Sequence, residues 1–367
     1  MKKKLALFFT TGVSLKTWAG IGSLDREIKP YKELAKYLSE IYFFTYGDKK
    51  DLEYQKLLPQ NIKIFPNRWK LPAKLYSFLM PLLYKKRLKA VDILKTNQMN
   101  GSWSAVITKW LFKKKLIVRC GYEWALSAQK EVSKKWREPL IYLIEKIAYR
   151  NANAIIVTSE ADKNFIKKRY KISPEKINFI PNYIDTNLFK PITISKESKS
   201  LCFVGRLSEE KNLVNLLRAM EGIDIKLKLI GSGKLGKKLK NIAQNIKTQI
   251  EFIDNIPNNQ LPQLLNRCEI FILPSLYEGC PKALLEAMSC GLPVIGTDTE
   301  GIKEIVKHEE NGYLCKTDAK SIKEAIVNVL QNKELQEKMG ENARKTILEN
   351  FSLEKKLEKE IEIYESL

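Results

Sequence analysis

The stretch that decides the fold is "PSLYEGCPKALLEAMSCGLPVIGTD", Pro274 to Asp298, with "CEIFIL" directly before it. "CEIFIL" and "LPVIGTD" are short β-rich runs. Between them "KALLEAMSC" has the composition of a short helix that stops at Gly291, with Pro281 suited to its first turn. The order strand, loop, helix, strand is a βαβ unit. In such a unit the loop at the strand's carboxyl end and the helix N-terminus after it form a ready site for an anion or a ligand. Two glutamates fall there. Glu278 belongs to the turn ahead of Gly279 and Pro281, and Glu286 lies in the second helical turn among Leu284, Leu285, Ala287 and Met288. A carboxylate in such surroundings is costly to bury without a partner. An ion pair with Lys282 is the structural explanation, and a ligand is the functional one.

Outward from this unit, strand-like and helix-like runs alternate along the whole chain. The first half carries "KLALFFT", "IYFFTY", "NIKIFP", "KLIVRCG" and "NAIIVTS", and the second carries "SLCFVG", "KLKLIGSG", "QIEFID" and "GYLCK". Repeated strand and helix in this order implies parallel sheets with helices on both faces. The polar stretch "YIDTNLFKPITISKESKS" reads as a linker near residues 188–199. The expected division is therefore 1–190, 191–345 and a terminal helical segment 346–367. A length of 367 residues suits two domains.

Two such domains put ligands at strand carboxyl ends. "FVGRLSEEKN", residues 203–212, is a strand, a glycine, then Arg206 and Lys211 ahead of a helix beginning near Asn212. Two cations at a βα loop can hold phosphates, or they can be neutralised at a surface by Glu209 and Glu210. "IGSGK", residues 230–234, is a second glycine loop after a strand, too common a pattern to carry weight alone.

No apolar run reaches the length of a spanning helix. The start "MKKKLALFFTTGVSLKTWAG" imitates a secretory leader but reads better as a buried strand entering a glycine loop. Six cysteines, at 120, 202, 268, 280, 290 and 315, show no CxxC pair and sit mostly in apolar runs, so reduced packing residues and a cytoplasmic location are expected. The formal charge of +22 lies wholly in residues 1–190, with 38 Lys and Arg against 16 Asp and Glu, whereas residues 191–367 balance at 26 each. That asymmetry points to an anionic partner or to lysine-rich solvated faces.

Taken in order, "NYIDTNLFKP", "FVGRLSEEKN", "LIGSG", "FILPSLYEGCPKALLEAMSCGLPVIGTD", "GIKEIV" and "NGYLC" resemble the retaining nucleotide-sugar glycosyltransferases of family 4. The resemblance implies an α/β GT-B fold, two Rossmann-like domains with parallel sheets facing a central cleft. The first domain would bind the acceptor and the second the donor, and the last helix would cross back to the first domain. The spacing of Glu278 and Glu286 matches that family's E-x7-E motif, whose first glutamate contacts the donor sugar and whose second holds the ribose. Arg206 and Lys211 match its diphosphate-binding pair, which with Glu278 would carry catalysis. The donor site then comprises Gly12, Gly205, Arg206, Lys211, Gly231, Glu278, Gly279, Cys280, Pro281, Leu285 and Glu286, with Gly12 placed by analogy to the family's N-terminal glycine loop.

The donor is expected to be a UDP- or GDP-sugar, consumed as a substrate, with no cofactor and no metal. Many relatives carry a histidine in the N-terminal domain where this chain has Arg119, Cys120, Gly121 and Tyr122. The lone histidine, His308, reads as a solvated turn residue. A sugar-nucleotide isomerase or phosphorylase on the same scaffold, or a basic nucleic-acid-binding protein, are the rival readings, and no nucleic acid is expected. The segment "RWKLPAKLYSFLMPLLYKKRLKAV", residues 68–91, mixes apolar groups with cations in the manner of a membrane-interface segment, or forms two short helices over the core. An anionic membrane surface, the inner face of the cell membrane, and a lipid-linked glycan acceptor follow from the first option.

Overall fold

The computed structural model describes residues 2–121 and 138–367. The chain forms two compact units, Met1–Pro181 with Leu357–Leu367, and Asn182–Lys356.

The first unit is built on strands β1 (Lys4–Phe8), β2 (Glu40–Phe44), β3 (Ile62–Phe65), β4 (Ile93–Thr96), β5 (Lys115–Cys120), β6 (Ala154–Val157) and β7 (Ile177–Phe179). They lie in the order β3-β2-β1-β4-β5-β6-β7, and every pairing is parallel. Runs such as "LALF" and "IYFF" are apolar at every position, because helices cover both faces of a parallel sheet. In β1, Leu5 to Phe8 are all buried. The direction of winding reverses between β1 and β4, so the carboxyl ends of these two strands border a crevice.

The second unit repeats the plan with β8 (Ser200–Val204), β9 (Lys226–Ile230), β10 (Ile250–Ile253), β11 (Ile270–Leu273), β12 (Val294–Thr297) and β13 (Tyr313–Cys315). Their order is β10-β9-β8-β11-β12-β13, again all parallel, with the reversal between β8 and β11. The α/β fold with two parallel sheets expected from the sequence is therefore present. Phe189 is buried in this unit's core, and Ile192 N–H donates to Asn266 Oδ1 at 2.9 Å, so the polar stretch after residue 188 lies along the second unit. Its helix Lys282–Ser289 ends as the sequence indicates, with Gly291 at φ +72° beyond its last turn.

Strand β4, "ILKT", is missing from the strands read in the sequence. Its centre is Lys95, a residue that argues against a buried strand, yet Lys95 is only 1% exposed. It pairs with Glu360, also buried, on the terminal helix Leu353–Ser366, and its Nζ donates to Tyr364 Oη at 3.1 Å. Burial, with Tyr31 beside it, pushes the Tyr364 phenol well above its ordinary range. A buried charge survives because it is paired and hydrogen-bonded.

All six cysteines are free, and all but the half-buried Cys280 are buried. Among the described residues no helix is long and apolar enough to cross a membrane.

Candidate functional site

The polar machinery of the second unit gathers at the carboxyl ends of β8, β9 and β11. The loops after β8 and β9 are joined through their backbones. Gly205 N–H donates to Ile230 O at 3.0 Å, Leu207 N–H to Ser232 O at 3.0 Å, and Leu235 N–H to Leu207 O at 2.9 Å. Gly231 has φ +133°, and a Cβ there would fall on the carbonyl oxygen of Gly205. Only glycine allows the two loops to touch in this way.

The cations rise from this joined backbone. Arg206 is 77% exposed, and its Nη2 lies 3.2 Å from Glu210 Oε1. Lys211 is nearly covered, as is Glu278, and Lys211 Nζ sits 2.5 Å from Glu278 Oε1. The same carboxylate oxygen accepts from Ser275 Oγ at 2.6 Å. Burial opposes the charge of Glu210, but bonds from Ser208 and its own backbone, with Arg206 and Lys211 beside it, lower its pKa on balance. The Glu278 loop is fastened from two sides: Leu276 N–H donates to Glu210 O at 2.8 Å, and Thr297 Oγ1 to Ser275 O at 2.5 Å.

Glu286 is 2% exposed on the helix Lys282–Ser289, and Asn258 Nδ2 donates to its Oε1 at 3.1 Å. Glycine at 279, half-buried Cys280 and Pro281 form the turn between Glu278 and this helix. The Cys280 carbonyl accepts from Asn182 Nδ2 at 2.7 Å. Leu285 lies fully in the core.

Thus Gly205, Arg206, Lys211, Gly231, Glu278 and Glu286, far apart in sequence, all stand at one end of one sheet. Gly12 belongs to the first unit, in the loop after β1, with φ +80° and open space where a Cβ would be. There Arg119 N–H donates to Thr96 Oγ1 at 3.0 Å and its Nη1 to Asn97 O at 3.2 Å, and Gly121 N–H donates to Gln98 Oε1 at 3.0 Å. Cys120 is buried, and Tyr122 lies outside the described residues. His308 is half exposed in a turn, its Nδ1 accepting from Leu314 N–H at 3.1 Å and its ring against Tyr313.

Four supporting residues escaped the sequence reading. Asn258 and Asn182 each hold a site atom from a distant loop; Asn182 heads the segment "NYIDTNLFKP", whereas Asn258 stands in no pattern that announces it. Asn212, at φ +56°, ties the Lys211 turn to Pro274 O at 3.0 Å and Thr317 O at 2.8 Å. Gly301, at φ +83°, lies so close under Glu278 and Gly279 that a Cβ would overlap their carbonyl groups. It stands at the head of "GIKEIV", as Asn212 closes "FVGRLSEEKN".

Two parallel sheets with a cation–carboxylate pair at a switch point place a candidate ligand site at strand carboxyl ends, and comparison with known proteins makes the class specific. The family described as Glycosyltransferase Family 4 matches residues 31–188, and the one described as Glycosyl transferases group 1 matches residues 185–346. Together they cover most of the chain, which belongs to the family 4 glycosyltransferases with the GT-B fold.

An uncharacterized glycosyltransferase of Methanocaldococcus jannaschii is 26% identical over 95% of each chain. The UDP-Gal:α-D-GlcNAc-diphosphoundecaprenol α-1,3-galactosyltransferase of Escherichia coli is 30% identical over 64% of this chain and 66% of its own length. Among solved structures, Anabaena HepE in complex with UDP and glucose superposes with a TM-score of 0.79 at 19% identity over the whole of both chains. Sucrose-phosphate synthase from Thermosynechococcus elongatus does so at 0.80 and 20% identity, over 100% of this chain and 99% of its own. These neighbours share the fold. The family matches make the protein a transferase.

Proposed function

We propose that the protein is a retaining, metal-independent hexosyltransferase that moves a sugar from a UDP- or GDP-sugar to a lipid-linked glycan acceptor in cell-surface glycoconjugate synthesis. One observation carries the reading: Lys211 and Glu278, both nearly covered, face each other at 2.5 Å in a loop that Ser275 and the backbone hold still. In the free protein the ammonium is satisfied by the carboxylate. A donor whose diphosphate and sugar fall on either side of the pair would take over one partner each, Lys211 for the phosphate and Glu278 for sugar hydroxyls.

Arg206, exposed and paired with Glu210, would swing onto the same diphosphate, and Glu286, steadied by Asn258, would accept from ribose hydroxyls. Gly205, Gly231, Gly279, Cys280 and Pro281 let backbone approach the ligand. As the anomeric carbon separates from the phosphate oxygen, negative charge gathers on the leaving group, and fixed cations stabilise it without a metal. The acceptor oxygen bonds to the anomeric carbon on the face the phosphate leaves. Its proton passes to the departing phosphate, and nucleoside diphosphate is released. The E. coli galactosyltransferase, which acts on a diphosphoundecaprenol-linked sugar, and the UDP-bound neighbour support a nucleotide-sugar donor and a diphospholipid acceptor.

The test combines a thermal-shift panel of UDP, GDP, ADP and their sugars with NMR of the product made from the best donor and a polyprenyl-diphosphate-linked sugar, in the presence of a chelator. A native-state ligand raises the transition by about 2.7 kcal/mol of stabilisation at a hundred times its Kd. The expected product keeps the donor's anomeric configuration. Inverted product, or activity abolished by chelation, overturns the mechanism.

A further inference from the structure

Three helices of the first unit lie side by side on one face of its sheet: Ala73–Leu83, Ser102–Phe112 and Glu138–Asn151. Ser104 Oγ donates to Ser77 O at 2.7 Å between the first two, and Trp110 Nε1 to Asn151 Oδ1 at 2.7 Å between the last two. Each turns one side to the core, through Tyr76 and Met80, Ala105 and Val106, and Ala148 and Tyr149.

The other side of each helix is apolar as well. Leu75, Phe78 and Leu82 are 48%, 57% and 58% exposed and recur at i, i+3 and i+7, so they form one outward row. Leu140, Leu143 and Ile147 repeat that spacing on the third helix and are also exposed, and Trp110 and Leu111 lie exposed on the helix between. Solvent-facing helices are ordinarily polar there. The second unit lacks the feature: of the exposed large apolar side chains among the described residues, thirteen belong to the first unit and only Ile192, Leu276 and Leu348 to the second. An apolar excess confined to one unit indicates a contact surface.

Charge identifies the partner. Between Glu53 and Glu123 the chain has a single acid, Asp92, against fifteen Lys and Arg. The bases cluster beside the apolar rows: Lys85, Lys86, Arg87 and Lys89 follow the first helix and are exposed, and Lys113 and Lys115 follow the second. An extended apolar face rimmed by cations with almost no anions matches a bilayer carrying anionic headgroups, with the apolar rows at the acyl boundary and the bases at the phosphates. A protein partner of balanced surface charge would leave this rim unpaired.

We propose that this three-helix face docks the protein on an anionic membrane. The surface extends well beyond residues 68–91, and it stands whatever donor the second unit takes.

The experiment is flotation of the full chain with vesicles of phosphatidylglycerol mixed with phosphatidylcholine, against phosphatidylcholine alone, at low and high salt. The wild type floats with the anionic vesicles at low salt and poorly with the neutral ones. Lys85→Glu, Lys86→Glu and Arg87→Glu together lower the partition by about a hundredfold, from on the order of tenfold or less per base near a charged surface. Leu75→Ser, Phe78→Ser and Leu82→Ser together abolish the part of binding that resists salt, while Leu348→Ser in the second unit changes nothing. Circular dichroism checks folding, and Phe78→Ser alone serves if the triple variant is unstable. Absence of wild-type binding to anionic vesicles at low salt overturns the proposal. So does full salt-resistant binding by the serine variant. A wild type that is dimeric without lipid, becomes monomeric on the serine substitutions and never floats would assign the face to a second copy of this chain instead.

Discussion

The two sheets share a strand order, and they differ in how each treats the loop after its first strand. In the first unit the loop following β1 leads to the helix Leu15–Gly20, and a carboxylate holds it. Asp51, 1% exposed, accepts from Leu15 N–H at 3.3 Å, Lys16 N–H at 3.1 Å and Thr45 Oγ1 at 2.6 Å. Negative charge is already supplied to that helix end by the protein. In the second unit the loop after β8 is held by backbone contacts, among them that of Gly205 with Gly231, and by the Asn212 amide, and it carries the cations Arg206 and Lys211. The same topology thus produces a loop fixed by a carboxylate and a loop that carries two cations. Strand order places a crevice, and the polar residues around it decide what the crevice can do.

The largest expected effect tests the second loop. Lys211→Ala should lower transfer about 10²–10³-fold, the scale of removing one stabilising group from a developing anion, with the fold intact by circular dichroism. Arg206→Ala should cost less, because the exposed guanidinium is screened by water. Unchanged transfer in Lys211→Ala would make its pairing with Glu278 purely structural.

Next comes the way each loop is packed. Gly231→Ala forces a methyl onto the Gly205 carbonyl at φ +133°, and about 3 kcal/mol of stability should be lost. Gly12→Ala meets open space and bears only the cost of its φ of +80°, about 1 kcal/mol. Urea midpoints of the two variants measured side by side decide the matter, and equal losses would break the contrast between the units.

Asp51→Ala should follow with about 2 kcal/mol, since two backbone donors and one hydroxyl lose a charged acceptor. If the loop after β1 serves the donor, KM for the nucleotide sugar rises more than kcat falls. A stability loss with both kinetic constants unchanged would leave Asp51 a structural residue only.

The sequence exposed most of the sheets, because parallel strands buried on both faces are continuous apolar runs. It hid β4, where Lys95 is rendered harmless by Glu360 on a helix far along the chain. Of the candidate site, Glu278, Glu286, Arg206 and Lys211 were legible from their places after strands together with the family resemblance. Their supporting contacts were not: Asn258 reaches Glu286, and Asn182 reaches the Cys280 carbonyl beside Glu278's turn, and only the folded chain brings these residues together. The apolar rows on three separate helices were visible in part, in residues 68–91. Exposure cannot be read from an apolar periodicity, which looks the same whether a helix is covered on one side or on two.

The smallest effect compares one ion-paired glutamate from each unit. Glu40 at the start of β2 bridges its neighbours, 2.7 Å from Lys4 Nζ on β1, bonded to Lys63 on β3 and accepting from Tyr42 Oη at 2.7 Å. Hydrogen bonds from Lys4, Lys63 and Tyr42 bring its pKa from 4.5 down to about 2. A carboxylate whose folded pKa is depressed contributes stability above its unfolded value and loses it as pH falls through the folded one. The contribution is therefore complete above about pH 4.5 and gone near pH 2. In the second unit Glu197 has one such partner, Lys228 on β9 at 2.6 Å, and its pKa is lowered by that bond. Glu40→Gln should lower the thermal midpoint at pH 7 and leave it nearly unchanged toward pH 2, flattening the acid limb, while Glu197→Gln does so less. Both lysines that hold Glu40 are partly in water, which keeps the difference to about 1 kcal/mol or below. Thermal melts of the two variants across the acid range check the ranking, and a Glu40→Gln midpoint that falls most at low pH would have the wrong sign.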